Sequence, residues 1–110
     1  MHDENATQMA ALNGQARRSF DGCRVVITQG IQALGEASIS SVLSAVRQFD
    51  AFTCDNDPFG EQDFGQITHD GHSIFWKFDY YDLDFTMHSP DPSDPSVTAR
   101  ILTVMLAEEY

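Results

Sequence analysis

Asp70-Gly71 lies between two runs of alternating apolar and polar side chains, Phe64 to His69 and His72 to Tyr80. Asp-Gly accepts the two consecutive positive φ angles of a type I′ turn, whose twist matches that of the strands it joins. The pair therefore predicts a two-residue β-hairpin and sets its register: His69 opposite His72, Ile67 opposite Ile74, Gly65 opposite Trp76. A turn at Tyr81-Asp82 would bring in a third strand, Leu83 to His88, placing Met87, Phe85 and Leu83 across from Trp76, Phe78 and Tyr80. One face of the sheet then carries Ile67, Ile74, Trp76, Phe78, Tyr80, Leu83, Phe85 and Met87. The other carries Phe64, Gln66, Thr68, Ser73, Phe75, Lys77, Asp79, Asp84, Thr86 and His88. A slip of one residue would put Asp84 and His88 on the apolar face, so the split supports this register.

The remaining segments supply a strand and helices. Glu4 to Ser19 reads as a helix capped by Asp3 or Asn5, with Arg17-Arg18 suited to its C-terminal dipole. Cys23 to Thr28 is β-branched and apolar on both faces, which predicts an interior strand. From Glu36 to Phe49, Ile39, Val42, Leu43, Val46 and Phe49 follow helical spacing. Asp94 and Pro95 look like the N-cap and first residue of a last helix with Val97, Ile101, Leu102, Val104, Met105 and Leu106 on a broad apolar face. The expectation is one acidic α+β domain over 1–110. It has two layers, an antiparallel sheet of three to four strands with helices on one face, in the order α-β-α-β-β-β-α. A chain of 110 residues buries enough surface to support a core without disulfide or metal staples.

Charge is unevenly distributed along the chain, whose net formal charge is −11. Residues 1–49 balance, with Asp3, Glu4, Asp21 and Glu36 against Arg17, Arg18, Arg24 and Arg47. Residues 50–94 hold eleven acids against Lys77 alone. With so few bases, direct nucleic-acid binding is not expected, because affinity there comes from Lys and Arg neutralising phosphates. Anionic membrane surfaces are disfavoured for the same reason. The N-terminus is polar and acidic, and the longest apolar-rich run, Ile101 to Ala107, is too short to span a bilayer. The expectation is a soluble, cytoplasmic protein. Cys23 and Cys54 lack CxxC spacing and read as buried thiols.

Motifs that carry chemistry are incomplete. Gly30 to Gly35 (GIQALG) follows a strand and opens a helix, as phosphate-binding loops do, but Glu36 and Ala37 replace the required Lys and Ser/Thr, so a simple helix-opening turn is expected. Asp55, Asp57, Gly60, Glu61 and Asp63 resemble a calcium loop, yet Phe59 fills the fifth place and Gln66 the twelfth, where a bidentate Glu is needed. His69 and His72 would meet across the hairpin tip without a third ligand, His88 lying on the other face. Asp55, Asp57, Glu61, Asp63, His69 and His72 are thus the weak metal candidates. Asp79 and Asp84, directly opposed in the predicted register, invite a cation, an Arg from a partner or a raised pKa. No GxSxG, HExxH or CxxC is present. Neither a catalytic residue nor a cofactor is assigned.

Four strings together, RVVITQGIQALG (Arg24 to Gly35), DNDPFGEQDFG (Asp55 to Gly65), FWKFDYYDLDF (Phe75 to Phe85) and SPDPSDPSVTARILTVMLAEEY (Ser89 to Tyr110), carry a resemblance. They are similar to the bacterial family catalogued as domain of unknown function 3768, met mainly in alphaproteobacteria and often on mobile elements. The resemblance covers roughly residues 5–110. The family pattern commonly has His at the place of Gln62, so a metal or acid–base role for that loop is weakened here. The resemblance implies no catalytic residues, and its setting implies accessory roles such as regulation.

Two functional readings follow. In the first, the chain is a non-enzymatic module whose acidic surface, Asp55, Asp57, Glu61, Asp63, Asp79, Asp82, Asp84 and Asp91, binds a basic protein as a nucleic-acid mimic or accessory regulator. A domain of this size is roughly 30 Å across, and duplex DNA of that length carries about 18 charges, so ten excess carboxylates approach the half visible from one side. In the second, the Asp55–Asp63 loop, with Asp79 and Asp84, holds a divalent metal for hydrolysis or ligand binding. Phe64 and Phe75 on the polar face either mark a homodimer patch or lie under the first helix.

Overall fold

A computed structural model describes residues 4–110. The expected caps of the first helix include Asp3, which lies outside the described residues. Helix α1 runs Glu4–Ser19, strand β1 Arg24–Ile27, the single-turn α2 Gln29–Gln32 and helix α3 Glu36–Gln48. Strands β2 (Phe64–His69), β3 (His72–Tyr81) and β4 (Ala99–Leu106) follow, with 3₁₀ turns at Pro95–Val97 and Ala107–Glu109. The sheet order is β1-β4-β3-β2. This is an α+β fold with a four-stranded, open, mixed sheet.

The hairpin forms in the expected register, His69 opposite His72 and Gly65 opposite Trp76. Asp70 and Gly71 adopt φ of 49° and 78°, as a type I′ turn requires. Gly65 allows the Trp76 indole to lie against its backbone: a Cβ there would stand 2.4 Å from Nε1. The inner face of the sheet, with Ile74, Trp76, Phe78, Leu102, Val104 and Leu106, joins Ala16, Ile31, Val42 and Val46 from the helices in one core. Phe49 and Phe52 stack edge-on to Trp76, with ring centroids 5.4 and 6.0 Å away.

Four expectations are corrected. The last helix is instead the strand β4, antiparallel to β3 and parallel to β1. Its inward residues, Arg100, Leu102, Val104 and Leu106, are all buried, and Ile101 and Met105 line the other face. A strand covered on both sides is apolar all round, and periodicity alone does not separate it from a buried helix. The Asp94-Pro95 signal is real but short, for the Asp94 carboxylate accepts from the Ser96 amide at 2.9 Å and caps only one 3₁₀ turn. Because β4 occupies the second edge of β3 from Ile74 to Tyr81, Leu83–His88 has no edge to join. It forms a loop closed by the Asp82 carboxylate, which accepts from the Thr86 amide and hydroxyl. It touches the sheet through one bridge, Tyr81 to His88, and leaves Leu83, Phe85 and Met87 exposed. The sheet is accordingly mixed, not antiparallel. Finally, β1 is an edge strand: Val25 and Ile27 pack on the core while Val26 is exposed.

The outer face carries its own small cluster. Phe64, Phe75 and Tyr110 meet with centroids 5.0 to 6.0 Å apart. Tyr110, not α1, therefore covers the two phenylalanines.

Two helix ends exchange arginines. Arg17, 2% exposed, donates through Nη1 to the carbonyls of Val46 (2.9 Å) and Arg47 (3.2 Å) at the end of α3. Arg47 donates through Nε to the Arg18 carbonyl at the end of α1, 3.0 Å away. Each cation faces the negative end of the other helix's dipole. The Arg17 guanidinium also lies over the Trp76 and Phe52 rings, at 5.2 and 5.6 Å.

Candidate functional site

The register gathers the acidic loops. Residues 50–63 enter β2 beside Lys77 and Phe78, where the Phe78 amide donates to the Asp63 carbonyl at 2.8 Å. Residues 82–98 leave β3 after Tyr81 and return to the start of β4 opposite it. Both loops therefore lie at one end of the sheet, and Asp79 stands one turn of the pleat below them. Asp57 and Asp79 are close enough to act on the Asp63 carboxyl. Asp55, Asp84 and Asp91 are exposed, and Asp57, Glu61, Asp63, Asp79 and Asp82 are half-buried. Asp70 sits at the opposite end, on the hairpin tip.

Beneath this end runs a buried polar network that ties α1 to the sheet. Asn13, fully buried, donates to the Tyr80 hydroxyl at 2.8 Å and to the Glu61 carbonyl at 3.0 Å. Its amide oxygen accepts from Arg100 Nε at 3.0 Å. Arg100, 5% exposed, also donates to the Pro92 carbonyl, touches the Met9 sulfur and lies over the Tyr80 ring at 5.2 Å. Tyr80 donates to Asp63 Oδ2 at 3.5 Å. Burial pushes the Asp63 carboxyl above its ordinary range, and the Asp57 and Asp79 carboxylates add to the shift while the Tyr80 hydroxyl opposes it. Burial raises the Tyr80 phenol as well, which keeps it protonated as a donor. The network braces α1 against the sheet through these bonds.

Solvated members of the surface behave differently. Hydrogen bonds from the Thr86 amide and hydroxyl hold the Asp82 carboxyl below its ordinary range. The Ser96 hydroxyl and amide do the same for Asp94.

Several sequence candidates are not brought together. Asp79 faces Ile101 across β4, not Asp84, and pairs with Lys77 at 3.1 Å. In the calcium-like loop, Asp57 turns inward to accept from the Gln62 amide at 3.0 Å. His69 and His72 are cross-strand neighbours, His69 lying 3.5 Å from the Asp70 carboxylate. His88 Nδ1 is 2.9 Å from the Ser89 carbonyl oxygen. Among the described residues, no group of three or more His, Cys, Asp or Glu is placed to hold a metal ion. Both cysteines are free, and Cys54 is exposed, not buried as expected, because its loop packs only through Phe52. The Gly30–Gly35 turn is filled from within: Glu109 accepts from the Thr28 hydroxyl at 2.6 Å and the Gly30 amide at 3.0 Å.

The network residues Asn13, Arg17 and Arg100 were missed as interior groups, although a signal existed. Ala6, Met9, Asn13, Ala16 and Arg17 share the three-and-four spacing of one helix face, and all are buried. Arg100 alternates with Leu102 and Val104 once β4 is read as a strand.

A family model described as Protein of unknown function (DUF3768) matches residues 27–109. The chain belongs to that family. No curated protein and no solved structure matches it. The DUF3768 match begins at the last residue of β1, so α1, which supplies Asn13 to the brace and Arg17 to the core, lies outside it. No helix among the described residues of this DUF3768 protein is long and apolar enough to cross a membrane.

Proposed function

We propose that this DUF3768 chain is a non-enzymatic interaction module whose acidic sheet end binds a basic protein. The observation that supports the reading is that few cations stand among these carboxylates, Arg18 and Arg47 lying instead at the ends of α1 and α3. Arg17 and Arg100 are buried against carbonyls, ring faces and an amide, and Lys77 is held by Asp79. Arg24 lies over the Phe85 ring at 5.0 Å. Asp55, Asp84 and Asp91 thus stand exposed, with the half-buried Asp57, Glu61, Asp79 and Asp82 beside them and few bases among them. Such a field raises the encounter rate of a positively charged partner and makes binding salt-dependent.

The test is capture from a bacterial lysate by the immobilised chain, alongside a variant carrying Asp55→Asn, Asp79→Asn and Asp84→Asn. Retention of a basic protein that salt releases and that the variant fails to hold is the expected outcome. An identical retained set for both chains would refute the reading. Duplex DNA competing for the retained protein would specify nucleic-acid mimicry, and indifference to DNA an accessory regulator.

A further inference from the structure

A concavity lies where the ends of α1 and α3 meet residues 49–52 and Gln62. It encloses about 680 Å³ and is lined by Arg17, Arg18 and Arg47 against a single carboxylate, Asp50. The whole chain has six basic residues, so this one cleft holds half of them in a protein of charge −11. Carboxylates more than a Debye length away, about 8 Å at physiological ionic strength, are largely screened there. The local excess of guanidinium therefore decides what enters.

We propose that this cleft binds a small organic phosphate of up to mononucleotide size. The three cations are unequal, and their differences supply the argument. Arg17 and Arg47 are locked by the exchanged bonds to helix-end carbonyls, Arg47 additionally lying over the Phe20 ring at 5.3 Å. Each uses part of its donor set in those bonds; Arg47 keeps its two terminal nitrogens clear of that tie, whereas Arg17, buried to its unpartnered Nε, supplies charge to the cleft wall and not a contact. Arg18 folds back along α1, its Nη1 2.9 Å from where a Gly14 Cβ would be. Burial lowers the Arg17 pKa from its ordinary value, the neighbouring Arg18 charge adds to the shift, and Asp50 opposes it. Arg18 and Arg47 are exposed at the cleft, with Asp50 the one carboxylate in its lining, and their planar forks match the oxygens of a phosphate, which guanidinium binds in bidentate fashion. Phe49 and Phe52 provide apolar wall for the organic part, and the volume falls within the range of small-ligand sites. The cleft is independent of the acidic surface and stands or falls separately.

The experiment is isothermal titration of the full chain with adenosine monophosphate, ribose 5-phosphate, adenosine and inorganic phosphate. Saturable binding of the two organic phosphates is expected, with adenosine and inorganic phosphate each weaker. Arg18→Gln, which leaves the backbone carbonyl used by Arg47 in place, should weaken adenosine monophosphate about tenfold, the worth of one charge-assisted hydrogen bond. Arg47→Gln should weaken it at least as much, with circular dichroism confirming the fold. Asp84→Asn, at the acidic end, should leave the affinity unchanged. The proposal is overturned by an absence of binding tighter than about 1 mM, by equal affinities of the wild type and Arg18→Gln, or by inorganic phosphate matching the organic esters. Binding of a glutamate-rich peptide without any nucleotide would overturn it in favour of an acidic protein segment.

Discussion

The arginine cleft and the acidic sheet end are built from neighbouring stretches of chain, yet they treat charge in opposite ways. At the cleft, cations are immobilised by packing: Arg17 is buried and Arg47 tied to a helix end. At the sheet end, carboxylates stand on loops, stabilised by local amides and hydroxyls such as those of Thr86 and Ser96. The buried bases Arg17 and Arg100 hold structure together, whereas Asp55, Asp84 and Asp91 are left for solvent. Removing a base should therefore damage the fold, whereas removing an acid should not.

The largest effect expected is from Arg100→Met, which leaves the Asn13 amide oxygen and the Pro92 carbonyl without their donor. A loss of about 3 kcal/mol is expected for unpaired buried groups of this kind, read as a lower urea midpoint at unchanged slope. Arg17→Met should cost less, about 2 kcal/mol, since the buried Val46 carbonyl loses one charged donor. If either substitution proved neutral, the contrast between structural bases and solvated acids would fail.

Asp63 is the informative exception, an acid drawn inward. Its carboxyl pKa is raised above the ordinary value of 3.8 by burial, so the native state binds the proton more tightly than the unfolded chain. Stability from this group is highest in acid and declines as pH rises from the ordinary carboxylate range through the raised native value. Asp63→Asn removes the ionisation while keeping an acceptor for Tyr80. The variant should gain on the wild type as pH rises through that window, and the gap should close in acid, as followed by denaturant titration at several pH values. A gap independent of pH would show that Asp63 is not desolvated. The smallest change is expected from Asp55→Asn with Asp84→Asn, which should leave the urea midpoint unchanged or slightly higher at low salt through reduced self-repulsion.

The same division explains what the sequence discloses. The β2–β3 hairpin is legible to the residue, because Asp70-Gly71 fixes a turn geometry and the alternation fixes the faces. The α+β class and the inner-face residues Ile74, Trp76 and Phe78 follow from it. β4 is obscured because Asp94-Pro95 announces a turn without stating its length, and because a strand covered on both faces has no period-two signature. Its β-branched residues, Ile101, Thr103 and Val104, are the better indicator. The Leu83–His88 alternation misleads for a tertiary reason, since the edge it needs belongs to a segment later in the chain. The acidic end is visible as a charge count along the sequence, but the cleft is not. Arg17, Arg18 and Arg47 converge only after α1 and α3 pack.

The central position of β4 has a consequence for the order in which the protein is made. β1 finds its only parallel neighbour in the described sheet, Ile101 to Val104, nearly the whole chain later, and β3 is completed by the same segment. During synthesis from the N-terminus, the helices and the hairpin emerge with their apolar sides uncovered until this strand leaves the ribosome. Closure of such a distant pairing is slow relative to local structure. The nascent polypeptide is therefore most prone to misassociation until Ala99–Leu106 has left the ribosome.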